Sequence, residues 1–121
     1  MKDKTEQSDP LAEVIKKDPR YAREAYGFVY EALDYTIKRI GQKRHVTGQE
    51  LLAGIRDYAL AQFGPMGKTV FNAWGIRRTD DFGEIVFNLV EHDLMGKTEQ
   101  DSREDFKNGF DFNEVFALSK I

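Results

Sequence analysis

The spacing of apolar residues between positions 22 and 40 restricts the fold of this chain more than any other feature. Largely apolar side chains recur there every three or four positions, which is the repeat of a helix with one buried face. The members are Ala22, Ala25, Tyr26, Val29, Ala32, Leu33, Thr36, Ile37 and Ile40. Asp18-Pro19 supplies a cap and a proline at the first helical position, and Gly41 is a natural stop. The pattern predicts that the longest helix opens at Asp18-Pro19 and ends near Ile40.

Similar signals predict helices on both sides of this one. Asp9-Pro10 is a cap and first-position proline in front of a short apolar stripe. Thr47-Gly48-Gln49-Glu50 is a capping box, in which the threonine and the glutamate each accept a backbone N–H bond from the other residue. Gly64-Pro65 ends the helix that this box begins.

Two more helices are predicted in the middle of the chain. A short one runs from about Gly67 to Trp74 and is closed by Gly75. Thr79-Asp80-Asp81 caps the next one and places acids in its positive first turn. The apolar stripe of that helix extends to Leu94.

The segment of residues 94–112 fits two descriptions. Residues 98–101 and 111–114 could each cap a short helix. Alternatively, Phe106, Phe110 and Phe112 suit strand pairing in an irregular or hairpin-like segment. The two alternatives stay open at this point.

Together these patterns predict a mainly α fold. We expect a disordered tail at residues 1–8 and a single compact helical domain at residues 9–121, with about five to seven helices. Residues 47–112 also match a helix-turn-helix core, or a winged-helix-like core if the last segment forms a hairpin.

The composition excludes several classes of site. The chain has 121 residues and no cysteine, which rules out disulfides, Cys-containing zinc sites, iron–sulfur clusters and Cys nucleophiles. The first residues lack an apolar signal-peptide core, and no apolar run approaches the length of a membrane span. We therefore expect a cytoplasmic protein with no membrane partner. The net charge of -3 argues mildly against general nucleic-acid binding.

The sequence MGKT occurs twice, at Met66 and at Met95, and resembles the end of a phosphate-binding loop. Such a loop needs a glycine five positions before the Gly-Lys pair, but Gln62 and Glu91 stand there. Both copies also follow a helical pattern instead of a buried strand. We interpret the two glycines as helix junctions that need a left-handed or kinked residue, and we expect a β-branched residue at Gly96 to destabilise the domain.

No catalytic, cofactor or metal site is predicted. Only two histidines occur, His45 in a basic loop and His92 between two acids, and metal binding would need ligands converging from other elements. Ser102 and Ser119 lack the strand–turn–helix context of a nucleophile elbow.

The distribution of charge gives the candidate binding residues. Residues 36–45 contain four Lys or Arg and no acid, whereas residues 99–114 contain six acids and two bases. Such asymmetry can mark a surface for a charged partner, although it can equally mark two parts of one surface that pair, or a solvated face. The candidate partner-binding residues are Lys38, Arg39, Lys43, Arg44, His45, Arg77 and Arg78. Trp74 could join them, but we favour core packing for its side chain.

DNA binding by a helix-turn-helix meets an electrostatic difficulty. The start of the second motif helix enters the major groove in that fold, and here it is Thr79-Asp80-Asp81. DNA phosphates would repel these carboxylates, although Arg77 and Arg78 could offset the effect.

The chain resembles a family of small bacterial proteins catalogued as a domain of unknown function, common in planctomycete and verrucomicrobial lineages. Three stretches carry the resemblance: DPRYAREAYGFVYEALDYT, RHVTGQELLAGIRDYALAQFGPMGKTVFNAWGIRRTDDFGEIVFNLVE and KTEQDSREDFKNGFDFNEVF. Together they cover about residues 10–116. The resemblance implies a stand-alone bacterial protein of the cytoplasm, and it supplies no activity, cofactor or catalytic residue.

The sequence therefore favours a non-enzymatic protein-interaction module with a protein partner. The first alternative is nucleic-acid or ribosome binding through the basic residues, which would be sensitive to salt. The second is an enzyme, which would need a concave pocket that gathers titratable groups from several helices. The sequence leaves the identity of the partner and the oligomeric state open.

Overall fold

Helices account for all of the regular secondary structure in residues 9–42, 44–96 and 103–117, the parts of the chain that the computed structural model describes. The α-helices are α1 (Pro10–Lys17), α2 (Arg23–Ile40), α3 (Gly48–Phe63), α4 (Gly67–Ala73), α5 (Thr79–Glu91) and α6 (Phe112–Val115). Two 3-10 helices, Gly64–Met66 and Arg103–Phe106, complete the order. The described residues contain no strand, so the prediction of a mainly α fold is confirmed. The predicted tail at residues 1–8 lies outside the described residues.

The ends of α1 and α2 follow the sequence signals except at the start of α2. Asp9 caps α1 by accepting from the backbone N–H of Ala12, as predicted. Gly41 ends α2 with a φ of 74°, a left-handed conformation that glycine adopts without strain. The prediction that Asp18-Pro19 opens α2 is wrong, because α2 begins at Arg23. Asp18 instead ends α1, with its backbone N–H donating to the carbonyl of Val14.

The capping box of α3 is confirmed, and so are the acids predicted in the first turn of α5, whereas Thr79 does not cap that helix. Thr47 Oγ1 accepts from the N–H of Glu50 at 3.1 Å, and a Glu50 carboxylate oxygen accepts from the N–H of Thr47 at 3.0 Å. Thr79 is buried and lies inside the first turn of α5. The backbone N–H groups of Arg77 and Arg78 donate to Asp81 Oδ2 at 2.8 and 3.2 Å, so Asp81 holds the entry to this helix.

The last segment contains helix and turn in its described residues. Residues 94–96 and 103–112 form no strand, so the hairpin and wing alternative is not what the structure has there. Asp111 caps α6 by accepting from the N–H of Asn113 at 2.7 Å, which confirms a short helix at residues 111–114. Phe106 and Phe112 are buried in the core instead of pairing strands. The other predicted cap, at residues 98–101, lies outside the described residues.

The core is an aromatic cluster centred on Phe71, a fully buried residue of α4. The rings around it belong to Phe28, Phe63, Trp74, Phe82, Phe112 and Phe116, with centroid separations of 5.1–6.4 Å. Trp74 is half-buried against this cluster, so its ring serves packing, as favoured above. Because the rings come from α2, α3, α4, α5 and α6, the cluster joins these helices in one core.

The two MGKT glycines have different roles from the predicted ones. Gly67 has a right-handed φ of -55°, and a Cβ built there would overlap the ring of Phe116. Gly96 is exposed, its φ is not left-handed, and a Cβ there would meet no described atom within 4 Å. Glycine at position 67 is therefore required by the close approach of α6. The described residues give no steric support to the expectation that a β-branched residue at Gly96 destabilises the domain, and it stays a prediction. Lys97, which follows it, lies outside the described residues.

Candidate partner-binding surfaces

Two cations of the basic segment at residues 36–45 contact carboxylates that lie outside that segment. Lys38 lies 3.0 Å from Asp34. Arg39 lies 2.8 Å from Asp57, a residue of α3 that also lies 2.9 Å from Arg56. These acids do not belong to the acidic segment at residues 99–114, so the contacts are not the predicted pairing of the two segments. They do place a carboxylate beside each of these two cations.

Arg44 is paired more tightly than the two cations of α2. Its two terminal nitrogens donate to the two carboxylate oxygens of Glu50 at 2.9 and 2.8 Å. The Arg44 guanidinium, with the backbone N–H of Thr47, lowers the pKa of Glu50 to about 2. Glu50 is thus ionised at all physiological pH values, and the pair contributes no net charge.

The remaining candidates are divided between two places. His45 is exposed beside Arg44, and Lys43 lies outside the described residues. Arg77 and Arg78 are exposed on the connection between α4 and α5, where Asp81 binds their backbone. The described members of this remaining group therefore lie on two separate connections of the chain, whereas Lys38 and Arg39 lie on α2.

The start of α5 is covered by a neighbouring turn. Thr79 is 1% exposed, and its hydroxyl oxygen accepts from the N–H of Gly109 at 2.9 Å. Asp80 Oδ1 accepts from the N–H of Asn108 at 3.3 Å. A recognition helix must present its first turn to the base edges of DNA. The turn at residues 107–109 occupies that position here, so the geometry does not favour major-groove binding by α5.

The described residues form an apolar groove of about 720 Å³, which we call the interhelical groove. Its walls come from α2, α3, α5 and the 3-10 helix Arg103–Phe106. The apolar lining residues are Leu33, Ile37, Val46, Leu51, Val86, Phe87, Val90, Met95 and Phe106. Charged and polar side chains lie at its rim, and a volume of this size is typical of a binding site.

Close packing of Phe106 builds one side of the interhelical groove. A Cβ at Gly83 would lie 3.1 Å from the Cβ of Phe106, and one at Gly48 would lie 2.9 Å from the Cβ of Asp105. Glycine at these two positions lets the 3-10 helix Arg103–Phe106 approach α3 and α5. Any larger side chain would push this helix outward and change the width of the groove.

The rim of the interhelical groove carries paired charges. Arg103 lies 4.0 Å over the ring of Phe87, and one of its terminal nitrogens donates to both carboxylate oxygens of Glu84 at 3.2 Å. Arg44 lies on the rim together with Glu50, its partner. Each guanidinium thus has an acid beside it, and the rim is polar without a strong net charge.

The described residues give this groove neither a buried polar atom without a hydrogen-bond partner nor a cluster of metal ligands. Every fully buried side-chain nitrogen or oxygen among them has a hydrogen-bond partner. No three His, Asp or Glu residues of the described chain converge in a way that could hold a metal ion. None of the described helices combines the length and apolarity that crossing a membrane requires. The interhelical groove is therefore suited to apolar contact.

The sequence pattern of α5 does not indicate the groove. Its apolar residues Phe82, Ile85, Val86, Leu89 and Val90 follow the i, i+3, i+4, i+7, i+8 spacing of a single apolar helix face. Phe82, Ile85 and Leu89 are buried in the core, whereas Val86 and Val90 line the groove. How much of this face the core covers depends on the packing of neighbouring helices, which a local pattern does not contain.

No protein-family model, curated protein or solved structure matches this chain. The resemblance to the bacterial family therefore stays a prediction, and the functional argument depends on the geometry alone.

Proposed function

We propose that this protein is a protein-interaction module whose interhelical groove binds an amphipathic helix of a partner protein. The observation that carries the proposal is the groove itself, an apolar concavity of about 720 Å³ bounded by three helices. Binding a helix in such a groove uses apolar anchors on successive turns, with polar flanks that meet a polar rim. Cytoplasmic location and bacterial origin belong to the same proposal.

A helix is a better occupant than an extended peptide or a small polar ligand. An extended peptide binds most often by adding a strand to the edge of a sheet, and the described residues include no strand. A polar ligand needs buried donors or acceptors that await a partner, whereas the fully buried side-chain polar atoms of the described residues are already bonded.

Nucleic-acid binding receives less support from the same surface. To neutralise nucleic-acid phosphates, Lys38, Arg39 and Arg44 would first have to break their ion pairs with carboxylates of this chain. An enzymatic role receives little support as well. His45 and Glu104 are the titratable groups of the rim outside its arginines, and each already has an interaction partner.

A pair of matched substitutions tests the proposal. Ile37 is 41% exposed and lines the groove, whereas Leu60 is 39% exposed on α3 and lies outside it. Ile37→Glu places a charge in the groove, and Leu60→Glu makes the same change elsewhere. The immobilised protein and both variants are incubated with native lysate, with and without nuclease treatment, and bound proteins are quantified by mass spectrometry.

We expect a set of proteins that is retained by the wild type and by Leu60→Glu but lost from Ile37→Glu. Because the contact is apolar, retention should change little between ~0.1 M and ~0.5 M salt. The proposal is refuted if Ile37→Glu retains the same proteins as Leu60→Glu. Retention that disappears with nuclease and falls steeply with salt would favour the nucleic-acid alternative instead.

A further inference from the structure

A second concavity, of about 420 Å³, lies between α2 and the middle of α3 and has a different chemistry. It is lined by Tyr30, Glu31, Asp34, Tyr35, Lys38 and Tyr58, and we call it the tyrosine pocket. Three aromatic rings and two carboxylates therefore surround one lysine, and the lining has a net negative charge.

Hydrogen bonds fix the rings of the tyrosine pocket. The hydroxyl of Tyr30 donates to the carbonyl of Leu94 at 2.6 Å, and that of Tyr58 donates to Glu31 Oε1 at 3.1 Å. The ring centroids of Tyr35 and Tyr58 are 5.3 Å apart. Since these two hydroxyl protons are already used, the pocket offers ring faces and carboxylate lone pairs. Both are attractive to a cation that carries N–H donors.

The chain already contains one example of this recognition. The guanidinium carbon of Arg39 lies 5.2 Å from the centroid of the Tyr35 ring. One of its nitrogens donates to the Tyr35 hydroxyl at 3.2 Å and to Asp57 Oδ2 at 2.8 Å. A tyrosine ring with an adjacent carboxylate thus binds a guanidinium at the edge of the same surface.

We propose that the tyrosine pocket binds an arginine side chain of a protein partner. Glu31 and Asp34 can accept N–H bonds from a guanidinium, which a quaternary ammonium group cannot donate. Lys38 lies 3.0 Å from Asp34, but the two side chains are 75% and 64% exposed. Such an exposed pair is weak and can be displaced by an incoming guanidinium. This proposal does not depend on the interhelical groove.

Nuclear magnetic resonance titrations with two model compounds test the pocket. N-acetylarginine amide is the probe, and N-acetylcitrulline amide is its neutral counterpart of nearly equal shape. We expect saturable shifts in the resonances of Tyr30, Tyr35 and Tyr58 with the arginine compound, at roughly fivefold lower concentration than with citrulline. Equal binding of the two compounds would overturn the proposal. So would equal binding of tetramethylammonium, which carries a charge but no N–H donor.

Four variants separate pocket binding from general attraction to the surface. Glu31→Gln and Asp34→Asn should each weaken arginine binding severalfold, because each removes a charged acceptor. Lys38→Ala should strengthen it, because Asp34 loses its present partner. Glu13→Gln, on the exposed surface of α1, makes the same change in net charge away from the pocket.

If Glu13→Gln weakens arginine binding as much as Glu31→Gln does, a specific site is refuted. Arginine binding to Lys38→Ala that is unchanged or weaker than in the wild type would refute it as well. All four positions are exposed, so these variants are expected to fold. The titration also tests the pocket whatever the result of the Ile37→Glu experiment, because Ile37 does not line it.

Discussion

Replacing Gly67 with alanine tests the reason that the structure gives for the first MGKT glycine. The backbone at Gly67 is right-handed, so alanine can adopt its conformation without strain. The added Cβ, however, would overlap the ring of Phe116, a residue that is 4% exposed. The substitution therefore isolates the steric effect from any effect on the backbone.

The expected loss follows from two opposing terms. Forcing an extra carbon into a well-packed site costs about 1–3 kcal/mol, because the neighbouring ring must move. Alanine in place of glycine in a helix returns about 0.5–1 kcal/mol. The midpoints of these two ranges leave a net loss of about 1 kcal/mol in the free energy of unfolding, and the extremes allow at most about 2.5 kcal/mol. For a domain of this size the Tm should fall by about 4 °C, and by at most about 10 °C.

The assay is thermal and urea unfolding of Gly67→Ala beside Gly96→Ala, the same change in the second MGKT copy. Because Gly96 is exposed with no described neighbour, its variant should stay within about 0.5 kcal/mol of the wild type. In a Phe116→Ala background the penalty of Gly67→Ala should disappear, since the overlapping ring is gone. Equal effects of the two glycine variants, or an undiminished penalty in that background, would show that Phe116 is not the cause.

Three further predictions concern the polar contacts that fix the helices. Asn88→Ala should lower the free energy of unfolding, measured in urea, by about 2 kcal/mol, because it removes the amide group that donates to Asp18 Oδ2 and to the Tyr26 hydroxyl. A loss of less than about 0.5 kcal/mol would contradict this. The Arg20 guanidinium holds the pKa of Asp18 far below its ordinary value of 3.8. The ionised carboxylate therefore stabilises the fold fully at pH values above 3.8, and this stabilisation is lost as the pH falls through the pKa of the folded state. The stability difference between the wild type and Asp18→Asn should accordingly be largest near neutral pH and shrink under acid, and a difference independent of pH in urea titrations would refute this linkage. Thr47→Ala removes half of the capping box and should lower the free energy of unfolding by about 1 kcal/mol, which is measured as a lower Tm. An unchanged Tm would contradict this, because it would mean that water replaces the hydrogen bond of the cap without any loss of stability.

Structure that depends on neighbours within a few positions could be predicted from the sequence. Asp9, Gly41 and the Thr47 capping box work as their residue types indicate, since each bond joins residues at most four positions apart. The apolar repeat placed the long helix for the same reason. These signals are local in the chain and local in space.

The errors occur where a residue of a familiar type is used by a distant part of the chain. Asp18 has the appearance of a helix cap, but its carboxylate binds Arg20 and also Asn88, which is 70 positions away. Thr79 likewise accepts from Gly109, 30 positions away. A local rule does not distinguish a side chain available for capping from one that a tertiary contact will use.

The candidate surface could be predicted only in part. The positive segment spans residues 36–45, and two acids that pair with its cations, Asp34 and Glu50, lie just outside it. They were visible in the sequence. Asp57 was not, because its contact with Arg39 requires knowing that α2 and α3 pack side by side. The interhelical groove was hidden for a similar reason, since its volume depends on how three helices cross.

The two concavities share α2, and the two proposals together would give them different parts in recognition. Leu33 and Ile37 line the interhelical groove, whereas Tyr30, Asp34 and Lys38 line the tyrosine pocket. Residues three or four apart on a helix are neighbours, so the two sets form adjacent rows along α2. A partner helix that leaves the groove across α2 would bring a later side chain over the pocket, and that second contact would form at a high effective concentration. Apolar contact in the groove would then supply most of the affinity. A single arginine over the tyrosines would fix the direction and register of the partner, because charge complementarity contributes mainly to specificity.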